Sequence, residues 1–149
     1  MSNLPYYEQK DIENIQKLRT MLKELPPFCT EYFRGIEPRT STRTRIAYAY
    51  DLSVFFDFLK KENPVFSKMD RMDFRLEHLD QLTVTDLEEY MEYLKYRFNE
   101  NNKEVINKER GIMRKISSLK SFYNYFFRVE KIKTNPAALV RLPKLHDKE

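Results

Sequence analysis

Apolar positions recur every three to four residues along most of this chain, the period of α-helices with one buried face. The clearest case is residues 107–129. Ile112, Ile116, Leu119, Phe122, Tyr123 and Phe126 share one side, and Arg110, Arg114, Ser117, Ser121, Asn124 and Arg128 share the other, with Lys115 and Lys120 expected on the flanks. A helix of this length is about 34 Å long, close to one turn of B-DNA.

The same period predicts three more helices. Ile12, Ile15, Leu18, Leu22 and Leu25 form a stripe over residues 5–25, stopped by Pro26-Pro27. A short turn anchored by Phe28, Tyr32, Phe33 and Ile36 follows, with Cys29 in its apolar patch. Thr40, Ser41 and Thr42 are candidate N-caps for a helix to Lys61, whose core face holds Tyr48, Leu52, Phe55, Phe56 and Leu59. Thr83 or Thr85 caps a helix over 83–98 with Leu87, Tyr90, Met91, Leu94 and Phe98 inward. Residues 62–82 read as a packed connection, residues 99–106 as a polar loop, and Asn135-Pro136 as the start of a short helix through Val140. With only 2 glycines in 149 residues, tight hairpins and phosphate-cradling loops have little material. The expected fold class is all-α.

Charge sharpens this picture. The balance is −1 over residues 1–37, +3 over 38–61, −5 over 62–100 and +7 over 101–149. No carboxylate falls between Arg110 and Val129, although a solvated helix face ordinarily mixes both signs. Arg39, Arg43 and Arg45 gather at a predicted helix start, where free N–H groups and the dipole favour phosphate. These positive segments suit a polyanion. They also suit ordinary solvated faces of a lysine-rich protein, and the 107–129 helix alone is compatible with both.

Candidate chemistry is sparse. One cysteine, Cys29, excludes an intramolecular disulfide, and His78 and His146 stand far apart in sequence. No nucleophile elbow, phosphate-binding loop or zinc-protease motif occurs. Glu88-Glu89 read as complements to a helix dipole. No cofactor, metal or small-molecule ligand is expected. No signal-peptide pattern or run of 18 apolar residues is present, so a cytoplasmic protein without a membrane partner is expected.

Four stretches in order resemble the N-terminal core-binding domain of the tyrosine recombinases, the phage-integrase family. They are Thr44-x3-Tyr48-x2-Asp51-Leu52-x2-Phe55-x2-Phe58-Leu59; Leu82-Thr83-x2-Asp86-Leu87-x2-Tyr90-x3-Leu94; Arg114-Lys115-Ile116-Ser117-Ser118-Leu119-Lys120-Ser121-Phe122-Tyr123; and Asn135-Pro136-Ala137 with Leu142-Pro143-Lys144. The resemblance implies a small SAM-like bundle of four to five main helices over 38–143, preceded by a helical extension over 1–37. Residues 144–149 would begin a linker to an absent C-terminal catalytic domain. It also implies one jaw of a clamp on double-stranded DNA, with other recombinase protomers as partners of the full-length protein. The implied contacts are Thr42, Arg43 and Arg45 at one helix start, and Arg114, Lys115, Ser118, Lys120 and Ser121 on the other helix. The charge reading adds Arg110 and Ser117.

The family's Arg…Lys…His-x-x-Arg…His/Trp…Tyr catalytic set has no match here. The ten tyrosines are expected mostly on core stripes, so none is nominated as nucleophile. The expectation is a non-catalytic fragment of a DNA strand-breaking and rejoining enzyme. The rival is a helical protein-interaction module that docks an acidic partner. A helix-turn-helix repressor needs a short turn between helices, and the polar loop before Asn107 argues against it.

Overall fold

Ser41 sets the start of the longest helix: its hydroxyl accepts from the backbone N–H of Thr44 at 3.1 Å, and α3 then runs over Thr42–Glu62. The computed structural model describes residues 4–144. The chain divides into two compact units, Met1–Arg75 and Leu76–Glu149. Among the described residues the architecture is all-α apart from one pair of two-residue strands.

In the first unit, α1 (Tyr6–Lys23) packs on α3, and α2 (Cys29–Ile36) follows Pro26-Pro27. Tyr32, Phe33, Ile36, Leu52, Phe55, Phe56 and Leu59 are buried. The connection after α3 is packed, as the sequence suggests. Phe66 and Phe74 are buried and meet edge to face at 4.7 Å, and Phe74 reaches Phe56 at 6.0 Å. Arg71, in a 3-10 turn over Arg71–Asp73, ties this segment to α3 through Asp57 Oδ1 at 2.8 Å and Ser53 Oγ at 2.9 Å. One expectation fails here. The stripe of α1 is buried only at Leu18 and at Leu25 beyond its end, while Ile12 and Ile15 are 44% and 37% exposed. Two turns of α1 therefore lie beyond the apolar cover this unit provides.

In the second unit, α4 (Leu76–Leu79) leads to α5 (Val84–Tyr93), opened by a complete capping box between Thr83 and Asp86. The expected helix over 83–98 ends early, at Tyr93. Arg97–Phe98 (β1) and Glu104–Val105 (β2) pair antiparallel instead, with Arg97 opposite Val105. The polar loop is the turn of this hairpin. Asn99 Oδ1 accepts from the N–H groups of Asn101 and Lys103, and Asn102 takes the left-handed conformation that asparagine tolerates (φ 59°). Phe98, placed on the core stripe by helical spacing, is consequently 45% exposed.

α6 (Glu109–Arg128) supplies the core of this unit through Ile112, Ile116, Leu119, Phe122, Tyr123 and Phe126, all buried. Asn135 caps a closing 3-10 turn, Pro136–Leu139, that packs on α6. Asp80 fastens the preceding loop, accepting from the backbone N–H of Lys133 at 2.8 Å and of Thr134 at 2.9 Å. The expected linker falls, from residue 145 on, outside the described residues, and so does His146.

Candidate nucleic-acid interface

The polar face of α6 is laid out by its own period. Arg110, Arg114, Ser117, Asn124 and Arg128 are exposed and Ser121 is half-buried. They form one line, about 27 Å from end to end at 1.5 Å per residue. No carboxylate side chain lies on it.

Four of the sequence-nominated residues are placed differently. Lys115 and Ser118 are buried, at 3% and 4% exposure. At about 100° per residue, Lys115 falls about 140° from Arg110, inside the arc of Phe122 and Phe126. Lys120 directs its ammonium inward, to the carbonyls of Ala137 at 2.9 Å and Val140 at 2.6 Å. It closes the final 3-10 turn onto α6.

Arg45 is buried as well. One guanidinium nitrogen donates to the carbonyls of Glu37 and Thr40 and to Thr40 Oγ1, and the other to Thr42 Oγ1 at 3.1 Å. The arginine holds the turn that delivers the chain into α3. At that helix start Arg43 is exposed and Thr42 half-buried.

The tyrosines also depart from expectation. Only Tyr32, Tyr90 and Tyr123 are fully buried, whereas Tyr6, Tyr7, Tyr50 and Tyr96 are exposed. Tyr123 donates its phenol to the Leu79 carbonyl at 3.0 Å. Burial pushes its pKa well above the ordinary range, and the carboxylates of Asp80 and Asp86 add to the shift. A phenol held neutral in this way is a poor nucleophile. The Cys29 thiol is likewise pushed up by burial, against a smaller opposing pull from Arg71. Among the described residues, no group of three or more His, Cys, Asp or Glu side chains could hold a metal ion, and no helix is long and apolar enough to cross a membrane.

Two grooves open beside these elements. One, about 460 Å³, lies in the first unit on a floor of Ile15, Leu18, Leu22 and Phe33, with Arg19 and Arg34 among its lining residues. The other, about 660 Å³, lies at the C-terminal end of α6 and is lined by Asn124, Phe127, Arg128, Glu130, Ile132 and Lys133. The second was missed in the sequence because its members straddle a helix end, where helical periodicity stops reporting neighbours. Its one legible sign was Phe127, an aromatic off the core stripe.

Curated relatives of this chain are tyrosine recombinases named XerC. The protein from Caldanaerobacter subterraneus subsp. tengcongensis is 38% identical over 127 residues, covering 80% of this chain and 35% of that protein. The protein from Lacticaseibacillus casei is 40% identical over 111 residues (74% of this chain, 31% of that protein). The protein from Chlorobaculum tepidum is 31% identical over 142 residues (95% and 35%). The chain belongs to the tyrosine recombinase family. It spans about a third of the length of these relatives. The stretch Arg114 to Tyr123 that carries the resemblance contributes both core and surface: Ile116, Leu119, Phe122 and Tyr123 are buried, Arg114 and Ser117 exposed. No protein-family model matches the chain, and no solved structure matches it.

Proposed function

We propose that this chain is the duplex-DNA-binding, non-catalytic N-terminal part of a cytoplasmic site-specific tyrosine recombinase. The observation that carries the reading is the carboxylate-free line of Arg110, Arg114, Ser117, Ser121, Asn124 and Arg128 on α6. Exposed guanidinium groups along this line neutralise backbone phosphates, and the hydroxyl and amide groups between them add uncharged hydrogen bonds. Arg43 and Thr42, at the start of α3, form a second contact. Arg45 and Lys120 act instead by holding the elements that carry the contacts, and Lys115 and Ser118 are buried.

Strand cleavage needs a nucleophile, cations for the developing charge and a proton donor to the leaving oxygen. An open arginine line binds phosphate equally in ground and transition states and adds no rate. The chemistry, and assembly with other recombinase protomers, belong to the full-length enzyme. The test is fluorescence anisotropy of labelled duplex across a salt series, together with incubation on supercoiled plasmid. Salt-sensitive binding without nicking or covalent adduct supports the reading; a covalent phosphotyrosine adduct on this chain refutes the non-catalytic assignment.

A second reading has one observation in its favour. The groove of the first unit joins an apolar floor to Arg19 and Arg34, beside the half-exposed stripe of α1, which suits an acidic amphipathic helix. Glu37 also lines it and opposes such a ligand. Binding of an acidic helical peptide at this groove by a chain with no affinity for DNA would favour it.

A further inference from the structure

The basic line of α6 does not stop at the helix end. Asn124 and Arg128, its last two members, are also walls of the groove of about 660 Å³. The groove adds an aromatic ring, which the line lacks, Phe127, 44% exposed, and a further cation, Lys133, whose backbone is fixed by Asp80. Glu130 closes one side from a left-handed conformation (φ 61°) that turns the chain out of α6.

We infer that this groove receives an unpaired base of DNA lying along α6. The inference rests on the DNA reading above and extends it to a particular DNA structure. A helix C-terminus carries partial negative charge, so a bare phosphate is the wrong guest for the groove floor. A neutral base is not. Its face stacks on Phe127, its edge meets the Asn124 amide and the Glu130 carboxylate, and Arg128 and Lys133 take the two flanking phosphates. Exposed aromatics beside cations are how proteins hold bases released from pairing. An extrahelical base enters at little cost because it is already unstacked. Continuity with the α6 line fixes the occupant: a strand whose backbone follows Arg110 to Arg128 arrives at the groove.

The experiment uses the 149-residue chain and two labelled duplexes of equal length, one perfect and one with a single extrahelical 2-aminopurine. Stacking on an aromatic side chain predicts about tenfold tighter binding of the bulged duplex, and quenching of the 2-aminopurine. Phe127→Ala and Phe127→Leu should bring the preference below about twofold while leaving perfect-duplex affinity unchanged. Arg114→Ala should weaken both duplexes equally and preserve their ratio. Equal binding of the two duplexes by the unaltered chain, or a preference that survives Phe127→Leu, overturns the base site and leaves the duplex reading standing. Failure to bind either duplex overturns both.

Discussion

The ammonium of Lys120 donates to the carbonyl of Val140 at 2.6 Å, and to that of Ala137 at 2.9 Å. A lysine that motif and charge both nominate for DNA therefore pins the last turn of the second unit to α6. Lys120→Met keeps the apolar stem and removes both charge-assisted bonds. It should lower stability by about 1.5–3 kcal/mol, nearer the lower end for a half-buried group. Thermal denaturation reads the loss, and the salt dependence of DNA binding should not change. A smaller salt slope with unaltered stability would return Lys120 to the interface.

Arg45 makes the same case in the first unit. Its four bonds to Glu37, Thr40 and Thr42 hold the entry to α3. Arg45→Met should cost about 2–3 kcal/mol of stability, while Arg43→Ala should cost almost none and weaken DNA binding. Equal melting temperatures for the two variants would contradict the division of roles.

These residues show where the sequence was legible and where it was not. The apolar face of α6 and, on α3, Leu52, Phe55, Phe56 and Leu59 are buried where the period puts them, and Ser41 and Thr83 are the caps among the candidates Thr40, Ser41, Thr42 and Thr83, Thr85, whereas Tyr48 is only half-buried. The inward turn of Arg45 and Lys120 was hidden because long side chains reach carbonyls that only the folded chain brings near. Lys115 was legible and misread, since its angular position lies with Phe122 and Phe126. The hairpin at 97–105 escaped because two-residue strands are too short for a period of two to show. The exposed half of the α1 stripe escaped because period reports which face is apolar, not how far its cover extends.

Stability should fall at alkaline pH. In the unfolded chain Cys29 ionises near 9.0 and Tyr123 near 10.0, whereas burial keeps both protonated in the fold. Above those values the folded state binds more protons than the unfolded one, so the free energy of unfolding decreases as pH rises. Each group contributes up to about 1.4 kcal/mol per pH unit. Urea denaturation from pH 8 to 11 should show a flat region and then a decline. Tyr123→Phe, less stable by about 1 kcal/mol at pH 8 for the lost bond to Leu79, should show a shallower decline above pH 10. An unchanged decline would mean that Tyr123 ionises in the fold.

Thr83→Ala removes one half of the capping box that opens α5. About 1 kcal/mol of stability should be lost, with hydrogen exchange rising first in the opening turn of that helix. Unaltered exchange there would show that tertiary packing, not the cap, fixes where α5 begins.

The most direct test of the DNA-binding face is the salt dependence of duplex affinity for the unaltered chain and for Arg110→Ala/Arg114→Ala/Arg128→Ala, with Glu89→Ala as control. Each neutralised phosphate contributes about −0.9 to the slope of log K against log salt. The triple variant should therefore lose about 2.7 from the slope and bind far more weakly at low salt, while Glu89→Ala matches the unaltered chain. A triple variant with the original slope and affinity would contradict the assignment of α6 as the DNA-binding face.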